Sequence, residues 1–219
     1  MPRPRRAPGV VTGSPWSAVY RSLIDCGLHS EVHLAESGFG RRAVLKGGVA
    51  LLFAKGQAGH AQDDPTSIRP KEGDFLVKVG DDGARPLTPD DVPVGATQTM
   101  AWPIDPTSHT VRSGSRLNRI LLVRLDPDKM SADTRSRAAD GVVAYTAICT
   151  HTGCEVIDWH ADEQLLSCPC HYSKFDPKDG ARVVDGPAPR TLPALPLQTQ
   201  DGKLVVAKPF TTRVGFEQP

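Results

Sequence analysis

The chain has 219 residues, a mass of 23.5 kDa and 39% apolar residues, enough for one ordinary domain or two small ones and too apolar for a wholly disordered chain. A formal charge of +1 argues against nucleic-acid binding, and the lack of any apolar run of about 18 residues argues against an ordinary membrane span. The length itself excludes a long oxygenase or a two-domain dehydrogenase, and 20 Gly with 20 Pro against 5% aromatics favours a turn-rich, mostly β architecture.

Charge divides the chain. Residues 1–61 hold eight basic and three acidic residues, whereas 62–219 hold eighteen and twenty-two. That is the pattern of a targeting segment ahead of a folded domain. Within the front segment, Gly40-Arg41-Arg42-Ala43-Val44-Leu45-Lys46 precedes a weakly apolar run, Gly47 to Ala54, and small residues follow at Gly59-His60-Ala61. The paired arginines, modest apolar run and small-x-small end resemble a twin-arginine export signal, which predicts a periplasmic protein exported after folding. The plainer alternative is a short amphipathic helix that begins with two arginines. The apolar run is too short for a bilayer span, so cleavage or peripheral association is expected rather than a firm anchor. The stretch before it, opening Met1-Pro2-Arg3-Pro4-Arg5-Arg6, reads as an extension. A translation start nearer Val32 or Leu34 would explain its length, through an alternative codon, since Met1, Met100 and Met130 are the only methionines.

Residues 62–116 are rich in proline and turn signals, as at Arg85-Pro86, Asp90-Asp91 and Trp102-Pro103-Ile104-Asp105-Pro106. They read as an arm packed on a folded domain, with outer strands at 75–79 and 97–102; a docking surface for a larger redox subunit is the sharper reading. Further on, short β-branched runs separated by Gly, Pro or Asp predict strands at 118–125, 142–148, 155–159, 164–167, 195–198 and 204–207, arranged as an antiparallel β-sandwich. Asp201-Gly202 predicts a tight hairpin turn between the last two. The polar stretch 126–140 predicts a loop with room for one helical turn. His109 and His160 read as surface or turn residues, which leaves no second histidine pair for the mononuclear iron of an oxygenase.

Of the five cysteines, Cys26 falls in the front segment and four share one window with three histidines. The window runs Cys149-Thr150-His151-Thr152-Gly153-Cys154, then thirteen residues, then Cys168-Pro169-Cys170-His171-Tyr172-Ser173. Three chemistries compete for it. Zinc takes four thiolate or imidazole ligands, and six candidates at these spacings overfill such a site. Two plain disulfides would leave the histidines idle. A [2Fe–2S] cluster on two cysteines and two histidines, with the other two cysteines joined, uses all six.

These two loops resemble the Rieske iron–sulfur signature, in the disulfide-bearing form found in quinol:cytochrome c reductases. Gly186-Pro187-Ala188-Pro189 is similar to that family's proline-rich third loop. The resemblance covers roughly residues 117–209. It implies an all-β fold, an antiparallel β-sandwich Rieske domain with cluster-binding loops at one tip, and one [2Fe–2S] cluster. It also implies Cys149 and Cys168 as ligands of one iron, His151 and His171 as ligands of the other, and a Cys154–Cys170 disulfide. Imidazoles in place of thiolates make the cluster less negative and so easier to reduce, over a range of about −150 to +300 mV. Ser173 matches the family serine that donates to a cluster sulfide. Phe175 stands where high-potential members have a tyrosine that donates to a cysteine sulfur, and Thr152 where quinol-oxidising members often have leucine.

The expected organisation is a leader (1–61), a Pro-rich arm (62–116) and a Rieske domain (117–219). The expected function is that of a periplasmic one-electron carrier, a subunit of a respiratory or dehydrogenase complex that passes electrons toward a c-type cytochrome. No residue is assigned a catalytic role. The partners implied are that cytochrome and a larger redox subunit, a dehydrogenase or cytochrome b, with quinol as a further candidate. One alternative is the quinol-oxidising subunit of a cytochrome bc complex. The leader and Phe175-Asp176-Pro177 also resemble the Rieske small subunit of arsenite oxidase. A structural zinc module is the alternative of another class.

Overall fold

The computed structural model describes residues 64–216; the expected leader and export signal lie outside them. Among the described residues there are ten strands: β1 (Phe75–Lys78), β2 (Thr99–Ile104), β3 (Ile120–Arg124), β4 (Val142–Thr146), β5 (Asp158–His160), β6 (Leu165–Ser167), β7 (Lys174–Asp176), β8 (Arg182–Asp185), β9 (Leu197–Gln200) and β10 (Lys203–Val206). The one α-helix among the described residues, α1 (Ala132–Ser136), is a single capped turn within the stretch expected to be a polar loop. No helix of the described residues is long and apolar enough to cross a membrane.

Two antiparallel sheets are present, as the sandwich reading requires. One has six strands in the order β4-β3-β2-β1-β10-β9, the other four in the order β5-β6-β7-β8. The larger sheet curls toward a barrel. Thr146 N–H donates to Pro193 O at 3.0 Å and Leu195 N–H to Ala144 O at 2.9 Å, so the segment leading into β9 covers the outer edge of β4.

Strands β3 and β4 are apolar on both faces because each serves two cores. Ile120, Leu122, Val142 and Ala144 pack inside the curled sheet with Leu76, Leu204 and Val206. Leu121, Val123, Val143 and Tyr145 pack with Leu166 and Phe175 of the small sheet. Tyr145 fastens the layers together: its buried phenol donates to Pro177 O at 2.8 Å, and burial holds its pKa above the ordinary phenol value.

The turn Asp201-Gly202 joins β9 to β10 with both residues at positive φ (50° and 73°), the conformation a two-residue hairpin loop needs. The strands expected on the outside of the arm are interior ones: β1 lies between β2 and β10. The arm is further fixed by a buried ion pair, Arg112 Nε and Nη2 on the Asp74 carboxylate at 2.8 and 3.0 Å. Strands β7 and β8 were not expected. They are short and flanked by charge, and pairing with β6 organises them rather than their own apolar content.

Candidate metal centre

Two loops project from the ends of the sheets toward one another. The first, Cys149–Cys154, follows β4; the second, Cys168–Ser173, joins β6 to β7. They share one backbone design. In the first, Cys149 N–H donates to Cys154 O at 2.7 Å and Gly153 N–H to Cys149 O at 3.1 Å. In the second, Cys168 N–H donates to Ser173 O at 2.9 Å and Tyr172 N–H to Cys168 O at 2.9 Å. Each loop is therefore a six-residue hairpin whose fifth residue turns the chain at positive φ, 79° at Gly153 and 59° at Tyr172. Glycine takes that conformation freely; a tyrosine there carries strain.

The four sequence-predicted ligands converge on these loops. Cys149 and Cys168 are free thiols, each 1% exposed. His151 and His171 stand edge to face with ring centroids 4.6 Å apart, His151 half-buried and His171 exposed. Cys154 and Cys170 form the disulfide, with a Cα–Cα distance of 6.5 Å, and so staple one loop to the other. The sulfurs of Cys154, Cys168 and Cys170 lie within 4.8 Å of one another; with two of them joined, the disulfide is a wall of the site and only Cys168 keeps a thiol to offer. His109 and His160 are exposed and away from the loops in sequence, as expected of surface residues.

Two features show that these residues fit a metal cluster. The Nδ1 atom of His151 is buried without a hydrogen-bond partner, which is costly for a polar nitrogen unless a cation takes its lone pair. Burial pushes the Cys149 thiol up to about 11, opposed by the backbone N–H groups of His151 and Thr152 and reinforced by the adjacent Cys168. Thiolates in so dry a place are stable only beside strong positive charge, which metal ions supply. After the disulfide is removed from the count, two thiolates and two imidazoles remain. That is the donor set of a mixed-ligand [2Fe–2S] cluster, and also of some zinc sites.

The residues expected to surround the ligands are placed as follows. Ser173 is 1% exposed and its Oγ accepts from Ala188 N–H at 3.1 Å, which leaves its own proton to donate elsewhere. Phe175 is fully buried in the layer between the sheets. Gly186, at φ 86°, lies so close to the second loop that an added Cβ would stand 2.5 Å from Ser173 Cα and 3.0 Å from Tyr172 O. Pro187 beside it is exposed, and the exposed Thr152 has its Oγ1 3.9 Å from Cys154 Sγ.

Sequence reading missed the braces of the first loop. Arg116 Nη2 donates to Gly153 O, Thr150 Oγ1 donates to Arg190 O at 2.7 Å, and Arg190 Nη2 donates to Gly215 O. The Phe216 ring lies against Gly153, its edge 2.8 Å from where a Cβ would stand. Apart from Thr150, which belongs to the loop, none of these is near it in sequence, and nothing local signals them. Tyr172 was also passed over, although aligning the two loops places it opposite Gly153.

An all-β scaffold with a disulfide-stapled, two-cysteine, two-histidine tip defines an iron–sulfur electron-transfer domain. The family profile of the Rieske [2Fe-2S] domain matches residues 108–196. The Rieske iron-sulfur subunit of the cytochrome bc1 complex of Streptomyces lividans is 36% identical over 149 residues, which cover 66% of this chain and 85% of that one. A Haloferax mediterranei protein assigned as the Rieske subunit of a respiratory nitrate reductase is 41% identical over 106 residues, 48% of this chain and 47% of that one. Among solved structures, the soluble domain of the Rieske protein II (soxF) of Sulfolobus acidocaldarius matches 41% of this chain and 61% of its own at 25% identity and a TM-score of 0.32. The chain belongs to the Rieske [2Fe–2S] family. It is a Rieske iron–sulfur electron carrier and binds one [2Fe–2S] cluster.

Proposed function

We propose that this chain is the electron-transfer subunit of a periplasmic respiratory or dehydrogenase complex and passes electrons toward a c-type cytochrome. In this reading Cys149 and Cys168 hold one iron and His151 and His171 the other. The observation that carries the assignment is that two loops joined by a disulfide carry two buried free thiols and a buried, unpartnered His151 Nδ1. When bound, the cluster takes up and releases one electron. The chain's residues hold it dry on the thiol side and near solvent at His171, the direction in which a partner would approach. The named relatives support a place in a larger respiratory assembly. The paired arginines at 41–42 support export by a twin-arginine route, and a disulfide between Cys154 and Cys170 suits an oxidising compartment.

The test is pulsed electron paramagnetic resonance of the reduced protein with metal analysis. Two imidazole-nitrogen couplings, both lost in His151→Ala and His171→Ala combined, are expected with two irons per chain. Zinc in their place, or no nitrogen coupling, overturns the ligand assignment.

A second reading, oxidation of quinol within a cytochrome bc complex, is favoured by the Streptomyces lividans relative, of which this chain covers 85%, and by the exposed His171 at the tip. Reduction of the loaded protein by a quinol analogue, inhibited competitively by a non-reducing quinone mimic, would select it.

A further inference from the structure

Each cluster-binding loop turns on its fifth residue, and against each of these pivots lies a segment from elsewhere. In the second loop, Gly186 of the proline-rich third loop lies against the peptide that joins the pivot Tyr172 to Ser173, while the Tyr172 side chain is exposed. Gly153, the pivot of the first, is held on three sides. Its N–H donates to Cys149 O, its carbonyl accepts from Arg116, and its α-carbon is covered by the Phe216 ring. Phe216 follows Gly215, whose carbonyl accepts from Arg190, and Arg190 O in turn accepts from the Thr150 hydroxyl. The last described stretch of the chain is thereby tied to both ends of the loop it covers.

From this geometry we infer that Arg116 and Phe216 are positioning residues of the metal centre: the C-terminal segment serves the first loop as the proline-rich loop serves the second, and Arg116 sets the reduction potential. The inference rests on the assignment of Cys149 and His151 as ligands. Gly153 stands two residues after His151 and next to Cys154 of the disulfide, so a shift of its peptide moves a ligand-bearing turn and its staple together. Arg116 acts in two ways. Its bond fixes the Gly153 carbonyl dipole, and its fixed positive charge on the loop favours the form of the site that carries one more electron. Phe216 carries no charge. It contributes shape alone, filling the space that the missing Gly153 side chain leaves.

The experiment uses the cluster-loaded full chain and three variants, Arg116→Met, Arg116→Lys and Phe216→Ala, each followed by protein-film voltammetry, pulsed resonance and thermal loss of visible absorbance. Arg116→Met is expected to weaken reduction roughly threefold to tenfold, a downward shift of at most about 59 mV for one electron. Arg116→Lys, which keeps the charge, is expected to recover part of it. Phe216→Ala is expected to leave the midpoint within twofold of the parent while the cluster is lost at lower temperature and the resonance lines broaden. An Arg116→Met protein with an intact signal and an unshifted midpoint overturns the role of Arg116. A Phe216→Ala protein as heat-resistant and sharp-lined as the parent overturns that of Phe216. Should Arg116→Met fail to load, Arg116→Lys decides: equality with the parent in midpoint and lability overturns the geometric part of the claim. Failure of the ligand assignment would show instead in the parent, as missing nitrogen couplings.

Discussion

At the scale of single residues, the hydroxyl of Ser173 is the part of the site with the clearest energetic consequence. Its oxygen is occupied by Ala188 N–H, so its proton is the free partner, and a proton donated toward cluster sulfur stabilises the more negative, reduced state. Ser173→Ala is expected to lower the midpoint by roughly 40 mV, the equivalent of one hydrogen bond of about 1 kcal/mol for a single electron. Phe175→Tyr is expected to raise it by a similar amount, since Phe175 offers no donor. Voltammetry on both variants checks this, and an unmoved midpoint in Ser173→Ala would place the hydroxyl elsewhere. A different kind of constraint acts at Gly186, where an added methyl group meets backbone rather than a movable side chain. Gly186→Ala is expected to destabilise the loaded protein by about 1–3 kcal/mol, read as a lower melting temperature with earlier bleaching. The ligand types were legible in the sequence because Cys and His are scarce and each loop gathers its own within six residues. Arg116 and Phe216 were not, because they reach Gly153 across 37 and 63 positions, and no local pattern encodes such contacts.

Among the elements, the two loops have little regular structure of their own and depend on the bond between Cys154 and Cys170. Closing a loop of 16 residues stabilises by about 3 kcal/mol in the chain-entropy view. Cys154→Ser is therefore expected to keep its metal at low temperature but release it earlier on heating; thiol counting on the unfolded, unreduced parent should find neither cysteine open. The turn that leads to β2 offers a pH test. The Asp91 carboxyl is held below the ordinary aspartate range, first by the Arg85 guanidinium and then by the Thr88 N–H and hydroxyl. Those bonds favour the ionised form only in the fold. Their contribution is complete above the unfolded value of about 3.9 and is lost progressively below it, vanishing only as pH falls through the much lower value held in the fold. Asp91→Asn should accordingly melt lower than the parent at pH 7, by a gap that begins to narrow below about pH 4 and is smaller at pH 3; an equal gap at both would remove Asp91 from the acid response. Strands with continuous apolar or alternating runs, such as β3, β4 and the β9–β10 hairpin, were legible. β7 and β8 were not, since Lys174-Phe175-Asp176 shows a period only once paired with β6.

For the molecule as a whole, the six-stranded sheet is a platform and the four-stranded sheet a superstructure laid on one of its faces. The arm expected to lie outside this arrangement is built into its middle, and the Asp74–Arg112 pair ties the start of β1 to the residues that precede β3. Proline and turn density hid this, because they dominate the composition of 62–116 while the strands themselves are only four and six residues long. The large-scale position of the site was legible in part: the signature placed the ligands on two loops, and the family resemblance implied that those loops sit at one tip of a β-sandwich. The curl of the larger sheet was not, because it depends on the 193–195 segment meeting β4, a pairing between strands that are distant in the chain.

That pairing makes the metal-bearing part an excursion with its two roots side by side. The chain leaves the platform at Thr146 and comes back to it at Pro193, bonded to the point of departure at 3.0 Å. The stretch between is held to the platform through the Tyr145–Pro177 bond, the Arg116 brace and the shared apolar layer. Its strands pair with one another rather than with the platform's, so it can loosen as a unit while the platform keeps its ladder. Stripping the iron with a chelator is expected to free residues 147–192 for rapid amide exchange and leave β1, β2, β3 and β10 protected; exchange that rises evenly over both parts would mean they open together. The consequence is one of assembly order. A platform that closes without its cargo can hold the two roots in place while the cluster is installed, and the excursion then sets around it.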